Sequence, residues 1–217
     1  MNNNINIRNE KEADYNIVEE ITRKAFWNLY IPGCVEHYLV HIMRSHKDFL
    51  PELDLVIEVG NRIIGNIMYT KAKLIDESGK EKQILTFGPL CILPEFQRMG
   101  YGKKLMNHSF EKAAALGYDV IIIFGNPGNY VSSGFKSCKR YNICIENDIF
   151  PAAMLVKELK PQALDGRKWI YRDSPVMNID VKDAERFDES LEKMEKKVLP
   201  GQEEFYIHYH SVLRQNI

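Results

Sequence analysis

The hydrophobic positions change period several times along the first half of the chain. Ile5 and Ile7 alternate with polar neighbours, which predicts a short strand. Ile17, Ile21 and Ala25 follow at helical spacing, with Asn9 or Asp14 available as a cap. Pro32-Gly33 interrupts that helix, and a second is predicted from Cys34 to about Arg44. Two apolar-rich runs, 54–59 and 62–72, flank Gly60-Asn61 and read as a hairpin, and Ser78-Gly79 marks another turn.

A sharper pattern covers 85–116. The apolar run 85–93 carries β-compatible Thr86, Phe87 and Ile92 and stops at Pro94. Gly100-Tyr101-Gly102 follows, and then a segment whose Leu105, Met106, Ser109, Phe110, Ala113, Leu116 and Gly117 fall within about 140° at 100° per residue. Gly117 is a natural stop. The unit reads strand, glycine-punctuated loop, helix. Next comes 118–124 (YDVIIIF), a continuous apolar run of the kind expected for a strand buried on both faces, joined to 85–93 by a right-handed parallel crossover. Beyond Phe135, 142–146 and 153–159 alternate as strands do. Phe187, Leu191, Met194 and Val198 predict an amphipathic helix that Leu199-Pro200-Gly201 ends, leaving His208-Tyr209-His210 in a tail strand or loop.

Composition narrows the picture. At 217 residues, with 45% hydrophobic and 27% charged, the chain is an ordinary globular protein with one core and an extension. A net charge of −1 argues against a nucleic-acid partner, and no apolar run approaches a membrane span, so neither nucleic acid nor membrane is an expected partner. Cys34, Cys91, Cys138 and Cys144 form no CxxC pair, and the amino terminus has no apolar leader, which reads as reduced thiols in a cytoplasmic protein.

The strand–loop–helix unit carries the chemistry. A helix start leaves its first amides unpaired, and the macrodipole adds about half a positive charge there. Glycines let those amides converge on an anion, and Gln97, Arg98 and Lys103 add donors, so a diphosphate is the natural occupant. Two nucleotide readings fail on their letters: no GxxxxGK[ST] occurs, and the third glycine of a dinucleotide fingerprint is Leu105.

Gln97-Arg98-Met99-Gly100-Tyr101-Gly102 matches [QR]-x-x-G-x-[GA], and Leu90-Cys91-Ile92-Leu93-Pro94-Glu95 is similar to an L-x-V-x-P-[ED] run. Together they resemble the GNAT superfamily of acetyl-CoA-dependent N-acetyltransferases. Asn126-Pro127-Gly128-Asn129-Tyr130, with Gly134-Phe135 behind it, resembles the family's [DN]-P-x-x-Y-x-x-x-G-F element. The resemblance spans roughly 4–160, giving a domain at 1–160 and an extension at 161–217. It implies an α/β fold with a mixed central sheet, parallel strands splayed at its centre and helices on both faces.

It also implies roles. Acetyl-CoA would be the cosubstrate, with no metal, its pantetheine arm pairing with the backbone of Leu90, Cys91 and Ile92. Its pyrophosphate would lie on Gln97, Arg98, Met99, Gly100, Tyr101, Gly102 and Lys103, and Asn126, Asn129 and Ser133 complete the cofactor set. Tyr130 stands where the family places a general acid for the leaving thiol, and the Ile92 N–H is the expected oxyanion donor. The acceptor would be a small-molecule or peptide primary amine attacking directly in a ternary complex. A general base is not legible. Phe87-Gly88-Pro89 offers no carboxylate, and Glu58, His37 and His41 are candidates beside a relayed water. Cys34, His37 and His41 also have helical spacing for a metal, and Cys91 suggests an acyl-cysteine route. The rival to catalysis is an acyl-CoA-binding module whose tail contacts a partner protein. Acceptor identity and oligomeric state stay open.

Overall fold

The computed structural model describes residues 4–214. Its first half follows the hydrophobic pattern: β1 (Ile5–Asn9), α1 (Tyr15–Phe26), α2 (Glu36–Met43), β2 (Leu55–Val59), β3 (Arg62–Asp76), β4 (Glu81–Ile92) and α3 (Tyr101–Ala115). The β2–β3 hairpin turns on Gly60 and Asn61, with φ of 56° and 65°. Positive φ at both central residues is the geometry that suits the twist of the flanking strands. Asp14 precedes α1 without capping it; its carboxylate instead takes the Lys11 amide at 2.8 Å and pairs with Arg8 at 2.6 Å. The buried face of α1 is Val18, Ile21 and Thr22, while Ile17 is exposed.

Beyond α3 come β5 (Val120–Phe124), the short α4 (Pro127–Tyr130), β6 (Lys136–Ser137), β7 (Ile143–Cys144), β8 (Met154–Glu158) and β9 (Trp169–Arg172). The sheet runs β1-β2-β3-β4-β5-β8-β6, with β9 paired to both β3 and β7. All pairs in that run are antiparallel except β4 with β5. Alternate residues of β5 feed two cores, which is why its sequence shows no polar face. Ile121 and Ile123 join Leu85, Phe87, Phe110 and Phe135, whereas Val120 and Ile122 join Leu74, Ile84 and Tyr171.

The extension adds β9 to this sheet and then departs from its predicted form. Helix α5 (Val181–Glu189) ends well before Val198, which is 85% exposed. Side chains of α1 and the loop after it hold the carbonyls of the following segment. Arg23 Nη1 donates to Glu192 O at 2.8 Å, and Trp27 Nε1 and Asn28 Nδ2 each donate to Glu195 O at 2.9 Å. Those carbonyls are thereby directed sideways rather than along a helix axis. Pro200 opens α6 (Pro200–His210) rather than closing a helix, because the first helical position needs no amide hydrogen. Leu199 N–H donates to Gln202 Oε1 at 3.2 Å at this start. His208, Tyr209 and His210 are therefore helical. Among the described residues, no helix is long and apolar enough to cross a membrane.

Candidate active site

The site begins where β4 and β5 part. Their parallel ladder registers at Leu85 opposite Ile121, and no further pair occurs among the described residues. Beyond it β5 stays with β8 up to Phe124 opposite Met154, while β4 stays with β3. Tyr69 faces Phe87 but Ile67 faces Leu90, so Gly88 and Pro89 together oppose Met68. Such a bulge bends its strand and re-aims the residues beyond it.

Register then fixes what β4 offers the gap. Leu93 N–H donates to Ile64 O at 2.8 Å, and Ile92 lies opposite Gly65. Antiparallel pairs alternate between bonded and non-bonded, so the backbone groups of Ile92 and, two residues earlier, Leu90 point away from β3 into the gap. The Ile92 carbonyl takes Gln97 Nε2 at 2.9 Å, leaving its N–H directed at the opening. Cys91 turns its backbone to β3, and its thiol lies 3.4 Å from Thr22 Oγ1, buried and pushed up to about 11. A neutral thiol facing α1 gives no support to an acyl-cysteine.

The gap opens into a cleft of about 720 Å³. At one end the chain enters α3 through Arg98 and Gly100, both with positive φ (61° and 86°). The amides of Tyr101, Gly102 and Lys103 occupy the first turn, where helix geometry supplies no partner. Arg98, Gly100, Gly102 and Lys103 line the cleft here, and Asn129 and Ser133 line it from α4 and the turn that follows. Three other predicted residues turn elsewhere. The Met99 side chain is exposed, Tyr101 packs edge-on against Phe96 at 6.1 Å, and Asn126 Oδ1 caps α4 by accepting from Gly128 N at 2.9 Å.

Tyr130 also lines the cleft, from the end of α4. Its ring meets Phe87 at 6.0 Å and Phe135 at 5.8 Å and covers Gly125, where a Cβ would lie 2.5 Å from Tyr130 Cε2. Burial, helped by neighbouring Tyr30, pushes its phenol well above 10, so it keeps its proton.

The other end is aromatic and acidic. Tyr30 stacks on Phe205 of α6 with centroids 4.0 Å apart, and Tyr209 of α6 meets Phe124 at 6.1 Å. Glu36, half-buried at the start of α2, accepts the Val35 N–H at 3.0 Å. Burial pushes its carboxyl up to about 7 despite that hydrogen bond, and the charge of Glu36 helps hold Tyr30 at about 12. Asp173 after β9, although exposed, is pushed up to about 6 by desolvation, against the Ser174 N–H that it accepts at 2.8 Å. Sequence reading missed both carboxylates, because an acidic residue at a helix start reads equally as a dipole partner, and Asp173 follows a strand that the pattern did not reveal.

The bases expected from sequence lie elsewhere. Glu58 is on β2, held below its ordinary range partly by Asn6 and Arg8, and lines a separate cavity of about 470 Å³. His37 is fully buried, with Nδ1 3.3 Å from Cys34 Sγ and Nε2 3.3 Å from Asp188. His41 faces Glu19 at 3.1 Å on the surface, so Cys34, His37 and His41 do not converge. No cluster of three metal-ligating side chains occurs among the described residues.

A family model, the Acetyltransferase (GNAT) family, matches residues 23–135, over half the chain. The chain belongs to the GNAT acetyltransferase family. This GNAT chain is 24% identical over 127 residues to the uncharacterized N-acetyltransferase YjhQ of Escherichia coli K12, covering 58% of its own length and 67% of that protein. Its fold is similar to that of YhbS from Escherichia coli, a GNAT protein solved in complex with CoA. The TM-score is 0.71 at 20% identity, over 82% of this chain and 94% of that one. It is also similar to a GNAT family acetyltransferase from Brucella melitensis in complex with acetyl-CoA, with TM-score 0.64 at 21% identity, over 81% and 99%. These similarities carry the α/β mixed-sheet fold, and both of those proteins hold the coenzyme or its acetyl form.

Proposed function

We propose that the chain transfers an acetyl group from acetyl-CoA to a primary amine by direct attack in a ternary complex. The observation that supports this most is the convergence on one cleft of the free Ile92 N–H, the Tyr130 ring and the amides opening α3. In this reading the amides of Tyr101, Gly102 and Lys103, with Arg98, hold the pyrophosphate, and the pantetheine arm lies along Leu90 and Ile92 like an added strand.

The amine nitrogen attacks the thioester carbonyl while Glu36, directly or through a water, takes its proton. A carboxylate titrating near 7 is matched to that task at neutral pH. The oxyanion of the tetrahedral intermediate accepts the Ile92 N–H, a donor fixed by the β3–β4 ladder that needs no reorganisation. The C–S bond then breaks. Tyr130 donates to the departing sulfur, and its raised pKa favours hydrogen-bond donation through the transition state over a free tyrosinate.

A thiol-release assay with acetyl-CoA and a panel of primary amines tests this. Amine-dependent CoA release is the expected result. Tight acetyl-CoA binding with no release on any amine would replace it with the non-catalytic reading, an acyl-CoA-binding module.

A further inference from the structure

The cleft is divided electrically. Among the described residues its lining carries two cations, Arg98 and Lys103, both beside the start of α3. The other charged groups of the lining are Glu36 and Asp173, and three aromatic rings line the cleft with them. Tyr30 stacks on Phe205, and Phe205 meets Tyr209 at 5.4 Å. Both carboxylates line the same cleft as these three rings. Phe26, Leu29, Ile31, Met177 and Ile179 fill in the remaining surface. Five of the residues involved, Asp173, Met177, Ile179, Phe205 and Tyr209, come from the extension.

We infer that the acceptor is a small primary amine with an apolar, aryl-bearing body and no anionic group. This rests on the acetyl-transfer reading of the same cleft. An ammonium is drawn in by the two carboxylates and by the faces of Tyr30, Phe205 and Tyr209, and its body is buried on the same rings. An acceptor carrying its own carboxylate meets Glu36 or Asp173 with no cation to offset the repulsion, so selection works through exclusion as well as attraction.

The test compares phenethylamine with phenylalanine, which differ by one carboxylate. With the full chain and acetyl-CoA, kcat/KM for phenethylamine is expected to exceed that for phenylalanine at least 100-fold. Asp173→Asn is expected to narrow the ratio at least 10-fold, with CoA stoichiometry unchanged as the folding check. Equal or better use of phenylalanine overturns the acceptor class while leaving acetyl transfer standing. Calorimetry of each amine into the CoA-saturated protein separates the remaining cases. Phenethylamine binding without turnover, with phenylalanine not binding, keeps the cleft's selectivity against carboxylates but overturns the acceptor class. Failure of phenethylamine to bind overturns the acceptor class.

Discussion

Replacing Glu36 with Gln tests the cleft's chemistry and its cost together. The unfolded-chain carboxyl titrates at 4.5 and the folded one at about 7. Below pH 4.5 the group is protonated in both states and contributes nothing to pH dependence. Between 4.5 and 7 the folded state keeps a proton that the unfolded state has lost, so this group makes stability fall as pH rises. Above 7 the burden is complete. At about 1.4 kcal/mol per pH unit it is on the order of 2–3 kcal/mol, allowing for water reaching the half-buried carboxylate. Gln is uncharged throughout. Melting curves should therefore show Glu36→Gln gaining on the native chain from pH 4.5 to 7 and then holding level, by roughly 4–12 °C at 2–4 °C per kcal/mol for a chain of this size. Over the same window, native kcat/KM should rise through about pH 7, and the variant should lose that limb and about 10²–10⁴ in rate. His37, held below its usual range in the folded chain, takes up a proton within that window only on unfolding. It does so in both proteins and cancels from the difference, and Tyr30, at about 12, does not titrate there. Asp173, at about 6, does, and Asp173→Asn serves as the control. A melting-temperature difference independent of pH, or a pH limb that survives in Glu36→Gln, would refute the reasoning.

Four further substitutions probe the rest of the site. Tyr130→Phe keeps the ring between Phe87 and Phe135, so acetyl-CoA affinity by calorimetry should hold within about threefold while kcat falls about 10²-fold. Gly65→Ala puts a Cβ 2.4 Å from Ile92 Cδ1 and 2.5 Å from Cys91 O. Shifting that stretch of β4 should cost about 1–3 kcal/mol in denaturant unfolding and lower kcat more than binding. Gly100→Ala and Gly102→Ala should separate two roles for glycine. The first, at φ +86°, should cost about 1–2 kcal/mol and weaken CoA binding, whereas the second meets only Ile92 Cγ1, at 3.6 Å, and should be nearly neutral in melting and affinity.

The cofactor half of the cleft is legible in the sequence because its geometry is local. One strand, two glycines and one helix start make up the proposed anion site, and all lie within 85–116. Leu90, Ile92 and Tyr130, singled out by their motifs, all line that cleft. The acceptor half is assembled from residues far apart in sequence: Tyr30 and Glu36 near the amino terminus, Asp173 after β9, and Phe205 and Tyr209 on α6. No spacing rule links them. The helix expected through Val198 has a sound periodic stripe, but Arg23, Trp27 and Asn28 capture the carbonyls of that segment, and such long-range competition leaves no mark on local periodicity. Pro200 reads as a stop because proline breaks helix interiors, although it equally opens helices.

Every role proposed for the cleft depends on the amides that open α3 gripping a coenzyme pyrophosphate. Calorimetric titration of the full chain with CoA tests that directly, with 3′-dephospho-CoA and pantetheine as comparisons. One CoA per chain, similar affinity for the dephospho form and a loss of at least 100-fold for pantetheine, which lacks the diphosphate, is the expected result. Pantetheine binding as tightly as CoA, or no CoA heat from folded protein, would contradict it.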